Sequence, residues 1–112
     1  MHNTILQLET ILSTYEPLLL KLDEQIASHK PSPSKWSKKE LIGHLIDSAH
    51  NNLRRFIVAQ YEEKPLIKYA QDYWVLAAGY QDHPLNDLIA LWLLINKQII
   101  RVLKKLPAGM EQ

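Results

Sequence analysis

The sequence predicts an all-α protein, a helical bundle of three main helices with one short crossover helix. Three observations carry that prediction. Apolar residues recur at helical spacing through three long stretches. A capping box opens the middle stretch, at Ser37 and Glu40. Some twenty residues then separate the middle stretch from the last, more than a tight helical hairpin needs. That segment has to travel along the bundle.

The first stretch runs from about Asn3 to Ser28, with Ile5, Leu8, Ile11, Leu12, Tyr15, Leu18, Leu19, Leu22 and Ile26 in helical register. Pro17 interrupts it by removing a backbone donor and crowding the preceding turn. The expectation is a kink, or a short helix followed by a longer one starting near Glu16. Lys30-Pro-Ser-Pro-Ser34 is a stiff, non-helical connector.

The second helix is expected from Lys38 to about Glu62, with Trp36 stapling its start to the core and Glu63-Lys64-Pro65 stopping it. Leu41, Leu45 and Ala49, with Leu53, Phe56 and Ile57, mark its expected buried face. His44 lies beside that stripe, and Asp47 and Asn51 follow it at i+3 and i+7. The crossover should contain a short helix near Gln71 to Ala78, ended by Gly79.

The last helix is expected to start with Asp82 or His83 as cap and Pro84 in its first turn. It should continue to Leu106, before Pro107 and Gly109. Its apolar residues, Leu85 through Leu103, surround nearly the whole circumference. A helix of that kind needs neighbours on several sides, so another helix or another subunit is expected to cover it.

The 112 residues suffice for one small domain with a real core. With 13 basic and 12 acidic residues the chain lacks the electrostatic footprint of a nucleic-acid or membrane-surface binder. It has no cysteine, which excludes disulfides, thiolate metal sites and cysteine nucleophiles. The N-terminus lacks a signal-peptide pattern, and the most apolar run, Leu88 to Ile95, is too short to span a bilayer. A cytoplasmic domain is the expectation. No phosphate loop, His-Glu-x-x-His helix or serine elbow is present.

His44 is the strongest candidate for chemistry, because neutral imidazole is a common ligand for zinc and nickel. A catalytic zinc, however, usually has three protein ligands, and no second histidine completes a site by spacing. His50 is turned away from His44 on a helix; His2, His29 and His83 lie at ends, connectors or a helix start. Asp47 has three readings, as a further ligand, as a partner of a ligand, or as an exposed carboxylate, with the last favoured. Asn51 and Asn52 either orient a ligand or bond a loop, with the loop favoured. Tyr69, Tyr73 and Trp74 either wall a small-molecule pocket or pin the crossover to the bundle. Asn96, an amide in the apolar last helix, needs a partner if it is buried.

The run Lys35-Trp-Ser-x-x-Glu-x-x-x-His44-Leu-x-Asp47-Ser-x-x-Asn51-x-x-x-Arg55-Phe56, followed by Pro65, Tyr69, Asp72 and Trp74, resembles the DinB superfamily. Within it the chain is most similar to the YfiT-like branch of metal-dependent hydrolases, over about Pro31 to Leu106. The resemblance implies a four-helix bundle in an up-down-down-up arrangement with a long crossover. It implies that His44 is the first of three metal ligands for nickel or zinc, the other two coming from a His-x-x-x-His motif on the fourth helix. Some members of the family transfer low-molecular-weight thiols such as bacillithiol.

The sequence reaches Gln112 without that fourth helix or its histidines. The domain, residues 1–112, is accordingly expected to be incomplete at its C-terminus, and only His44 carries over as a ligand. The resemblance implies a metal-dependent hydrolase or thiol transferase acting on a small molecule. Asp47, Asn51, Tyr69, Tyr73 and Trp74 would then surround the metal. The alternative is a catalytically silent bundle that acts by self-association, with a homodimer the expected form.

Overall fold

A computed structural model describes residues 2–62 and 69–106. They form α1 (His2–Leu20), α2 (Glu24–Ser28), α3 (Lys38–Val58), α4 (Gln71–Ala78), a 3₁₀ turn (Tyr80–Asp82) and α5 (Leu85–Lys104). The described residues are all-α. Helices α1, α3 and α5 make the body, α5 lies against both of the others, and α4 rides on α3.

Pro17 does not divide the first helix. Helix α1 continues through it to Leu20, and no long helix starts near Glu16. A proline forfeits only its own backbone bond, and the turns on either side carry the helix past it. The chain breaks four residues later. There Asp23 accepts hydrogen bonds from the backbone N–H of Gln25 and Ile26 and so begins the five-residue α2.

Helix α3 opens with the expected capping box of Ser37 and Glu40. It ends at Val58 rather than Glu62, because i→i−3 bonds from Gln60 and Tyr61 tighten the chain into a turn. Pro65 lies outside the described residues, as do Pro107 and Gly109. Helix α4 occupies the expected span, and Gly79 closes it in the left-handed conformation at φ +65°, which a residue without Cβ adopts at no steric cost.

Neither Asp82 nor His83 caps α5. Pro84 stands at the cap position without a side-chain bond. The Glu24 carboxylate, from α2, accepts the Leu85 N–H at 3.0 Å instead. The other oxygen of Glu24 receives the ammonium of Lys39 at 3.0 Å. Lys39 is only 3% exposed, and a buried ammonium needs such a partner. One carboxylate thus joins the starts of α3 and α5, and the bond from Lys39 holds it below the usual carboxylate range.

The expected buried face of α3 holds at Ala49, Leu53 and Phe56 and is corrected at its other residues. Leu41 and Leu45 are 50% and 45% exposed, and Ile57 is exposed too. The core residues are Ile42, Ile46 and Ala49, with Leu53 and Phe56 packed partly against them. In the first turns the buried pair Ile42 and Ile46 lies about one residue, 100°, from Leu41 and Leu45, and α5 packs on that side. On α5, Leu88, Ile89, Trp92, Ile95, Ile99, Ile100 and Leu103 are buried, while Leu91 and Leu94 stay exposed. Helices α1 and α3 therefore cover most of the apolar circumference. No helix among the described residues is long and apolar enough to cross a membrane.

Candidate functional site

His44 stands half-buried on α3, where the start of the crossover meets it. Its Nδ1 lies 3.0 Å from the Tyr69 hydroxyl. The Trp36 ring is 5.2 Å away on one side, and the Tyr69 ring is stacked at 6.2 Å on the other. Trp74 meets Tyr69 edge-on at 5.8 Å. Trp36 and Tyr69 thus flank the imidazole, Trp74 backs Tyr69, and the bond to Tyr69 fixes the orientation of the ring. No described residue hydrogen-bonds Nε2. Burial pushes the Tyr69 phenol up from its ordinary range, partly offset by the nearby Ser48 hydroxyl.

The structure gathers His44, Tyr69 and Trp74 from the expected set and adds Trp36, whose sequence signal was only that of a helix staple. Tyr73 does not join them. It is 70% exposed, on the side of α4 away from Val75, which faces the bundle.

Asp47 is not the exposed carboxylate that the sequence favours. It is 1% exposed. The Tyr80 hydroxyl donates to its Oδ1, while Oδ2 has no partner among the described residues. Burial raises the Asp47 carboxyl above its ordinary range, against the opposing effects of the Tyr80 bond and of His50 and His44. Burial and the same carboxylate push the Tyr80 phenol up as well. Asn51 does not reach a loop. Its amide donates to the Asp47 backbone carbonyl at 2.8 Å, one turn back on its own helix. Asn96 satisfies itself in the same way, donating to the Trp92 carbonyl at 2.8 Å. His83 accompanies the 3₁₀ turn, with Nε2 3.1 Å from the Ala78 carbonyl.

Tyr80 and Gly43 are neighbours of Asp47 that the sequence pattern does not single out. Tyr80 reaches Asp47 because its ring lies directly against Gly43, where a Cβ would overlap the ring carbons. The available signal was Gly43 itself. A glycine inside a helix costs about 1 kcal/mol relative to alanine, and a close approach by another group explains its presence.

A divalent metal would need more than His44. Among the described residues no three His, Cys, Asp or Glu side chains come together to hold one, and Asp47 is committed to Tyr80. The described residues supply one imidazole rather than a centre, so they do not fit a complete metal site.

A different feature lies on the side of α3 that carries Leu45. Ile11, Tyr15 and Leu19 of α1, Ile42 and Leu45 of α3, and Trp92 of α5 line an apolar groove of about 220 Å³. Trp92 is buried, whereas Ile11, Tyr15 and Leu45 are exposed. The groove follows from the packing: α1 and α3 both lie on α5, and their facing apolar sides flank the space above Trp92.

The family model described as the DinB superfamily matches residues 7–111. No curated protein matches the chain, and no solved structure does.

Proposed function

We propose, from the premise that this chain belongs to the DinB superfamily, that it works as a self-associating helical module. The observation that carries this reading is the groove between α1 and α3, which presents Ile11, Tyr15 and Leu45 to solvent. Covering apolar surface that otherwise faces water favours association. The occupant we assign is a second copy. With 13 basic against 12 acidic residues, two copies meet without net repulsion, and a chain near neutrality tends to associate. A two-fold axis lets the same apolar face serve both partners.

Sedimentation analysis of the chain and of Leu45→Lys tests this. The unmodified chain should sediment as a dimer and the variant as a monomer of unchanged helix content. Because Leu45 is already 45% exposed, the variant should keep its stability to within about 0.5 kcal/mol. A chain that stays monomeric at high concentration would overturn the proposal.

A metal-dependent hydrolase or low-molecular-weight-thiol transferase is the second reading. One observation favours it: His44 is half-buried and held by Tyr69 through Nδ1, which leaves Nε2 as the ligand atom. Nickel or zinc would then need ligands from a second copy or from residues outside those described. Trp36, Tyr69 and Trp74 would bound the space around a small-molecule substrate. Calorimetric titration with nickel and zinc, beside His44→Ala, is the check. Tight binding lost by at least tenfold in the variant supports a ligand role, and equal, weak binding by both chains excludes it.

A further inference from the structure

We propose that the Asp47–Tyr80 pair is a pH-sensitive latch that holds the end of the crossover on α3 while Asp47 is protonated and loosens when Asp47 ionises. It is independent of the two functional readings above. The geometry has three parts. Asp47 is buried, its Oδ1 is taken by the Tyr80 hydroxyl, and its Oδ2 has no partner among the described residues. Tyr80 is itself buried and reaches Asp47 across Gly43. Tyr80 also begins the 3₁₀ turn that ends the crossover, the segment that brings Tyr69 to His44.

The charged form of Asp47 is the costly one. A buried carboxylate needs a cation or several donors, and Asp47 has one phenol. The titratable groups that act on it are His44 and His50 on its own helix and Tyr80 from the 3₁₀ turn, with Tyr69 at the start of the crossover sensing its charge in turn. No charged side chain of α5 is buried. The remaining side-chain bonds that hold the turn to the body belong to Gln81, which accepts from Ser37 and donates to the Ser28 carbonyl. Those bonds do not titrate, so Asp47 is the ionisable part of the anchorage.

The sign follows from linkage. A carboxyl raised in the closed state ionises more readily once Tyr80 lifts and water reaches it. Closure is therefore fully favoured below the open-state pKa, about 3.9, and is lost as pH rises through the closed-state value. The loss is about tenfold in the closed-to-open ratio for each unit between the two.

Two NMR measurements on the chain test the latch. The ¹³C shift of the Asp47 carboxyl gives its titration directly. Exchange of the Asp82 and His83 amides, which donate to Gly79 and Tyr80, gives the closed population once base catalysis is corrected for. The expected result is a carboxyl midpoint above the ordinary range, with amide protection that falls as pH rises toward this midpoint and levels off above it. Asp47→Asn, which keeps the acceptor for Tyr80, should show protection that no longer changes with pH. A midpoint at or below about 3.9 overturns the latch. So does protection that ignores the carboxyl titration, or a pH dependence that survives in Asp47→Asn. If the variant does not fold, the unmodified chain decides: protection that levels off at the carboxyl midpoint supports the latch, and protection that does not overturns it.

Discussion

Trp92→Ala should destabilise the fold by about 3–5 kcal/mol, read as a fall in the urea midpoint at unchanged slope. Trp92 is 7% exposed and sits on α5, the helix against which α1 and α3 both pack. Its ring forms the floor of the groove between those two helices. Removal leaves a cavity that neighbours on three helices can refill only by shifting together, and the cost grows with the volume that stays empty. Domains of this size carry about 5–15 kcal/mol in total, so the variant should stand near the edge of folding at ambient temperature. Under the proposed dimer, self-association should weaken as well, because the groove loses its floor. Trp92→Phe, which keeps a ring at the site, should retain most of the stability. A loss below about 1 kcal/mol in the alanine variant would mean that the tryptophan is not the packing centre described here.

Gly43→Ala sets two effects against each other, and packing should win. Helix propensity alone favours alanine by about 0.8–1 kcal/mol. The added methyl, however, would overlap the Tyr80 ring and lie 2.7 Å from Cε2. Neither side can yield cheaply. Gly43 is part of the α3 backbone, and the ring is held by its hydroxyl at Asp47. Forcing a group into a packed site costs about 1–3 kcal/mol. Moving Tyr80 adds the penalty of a buried carboxyl left without a donor, about 1–3 kcal/mol more. A net loss of about 1–5 kcal/mol in denaturant unfolding is expected once the propensity gain is deducted. A variant more stable than the parent would show that Tyr80 leaves α3 without cost.

Where the relevant interactions are local, the sequence by itself determined the structure. The Ser37–Glu40 box started α3, the pattern of residues 71–78 specified α4, and Gly79 stopped it. Each depends on residues within about four positions of one another, so the chemistry can be read along the chain. The ordered residues around His44 were likewise enough to indicate the family that the match over residues 7–111 establishes.

The tertiary structure decided what depends on partners distant in sequence. Leu41 with Leu45 and Ile42 with Ile46 are equally good apolar stripes by periodicity, and only the position of α5 buries the second pair. The cap of α5 comes from Glu24, which is 61 residues earlier. Asp47 reads as a solvated helix carboxylate until Tyr80, 33 residues later, covers it. Helical periodicity states that a side will be buried and leaves open which neighbour arrives. Burial is a property of assembled elements, and it is burial that turned an ordinary Asp47 into the unusual group of this fold.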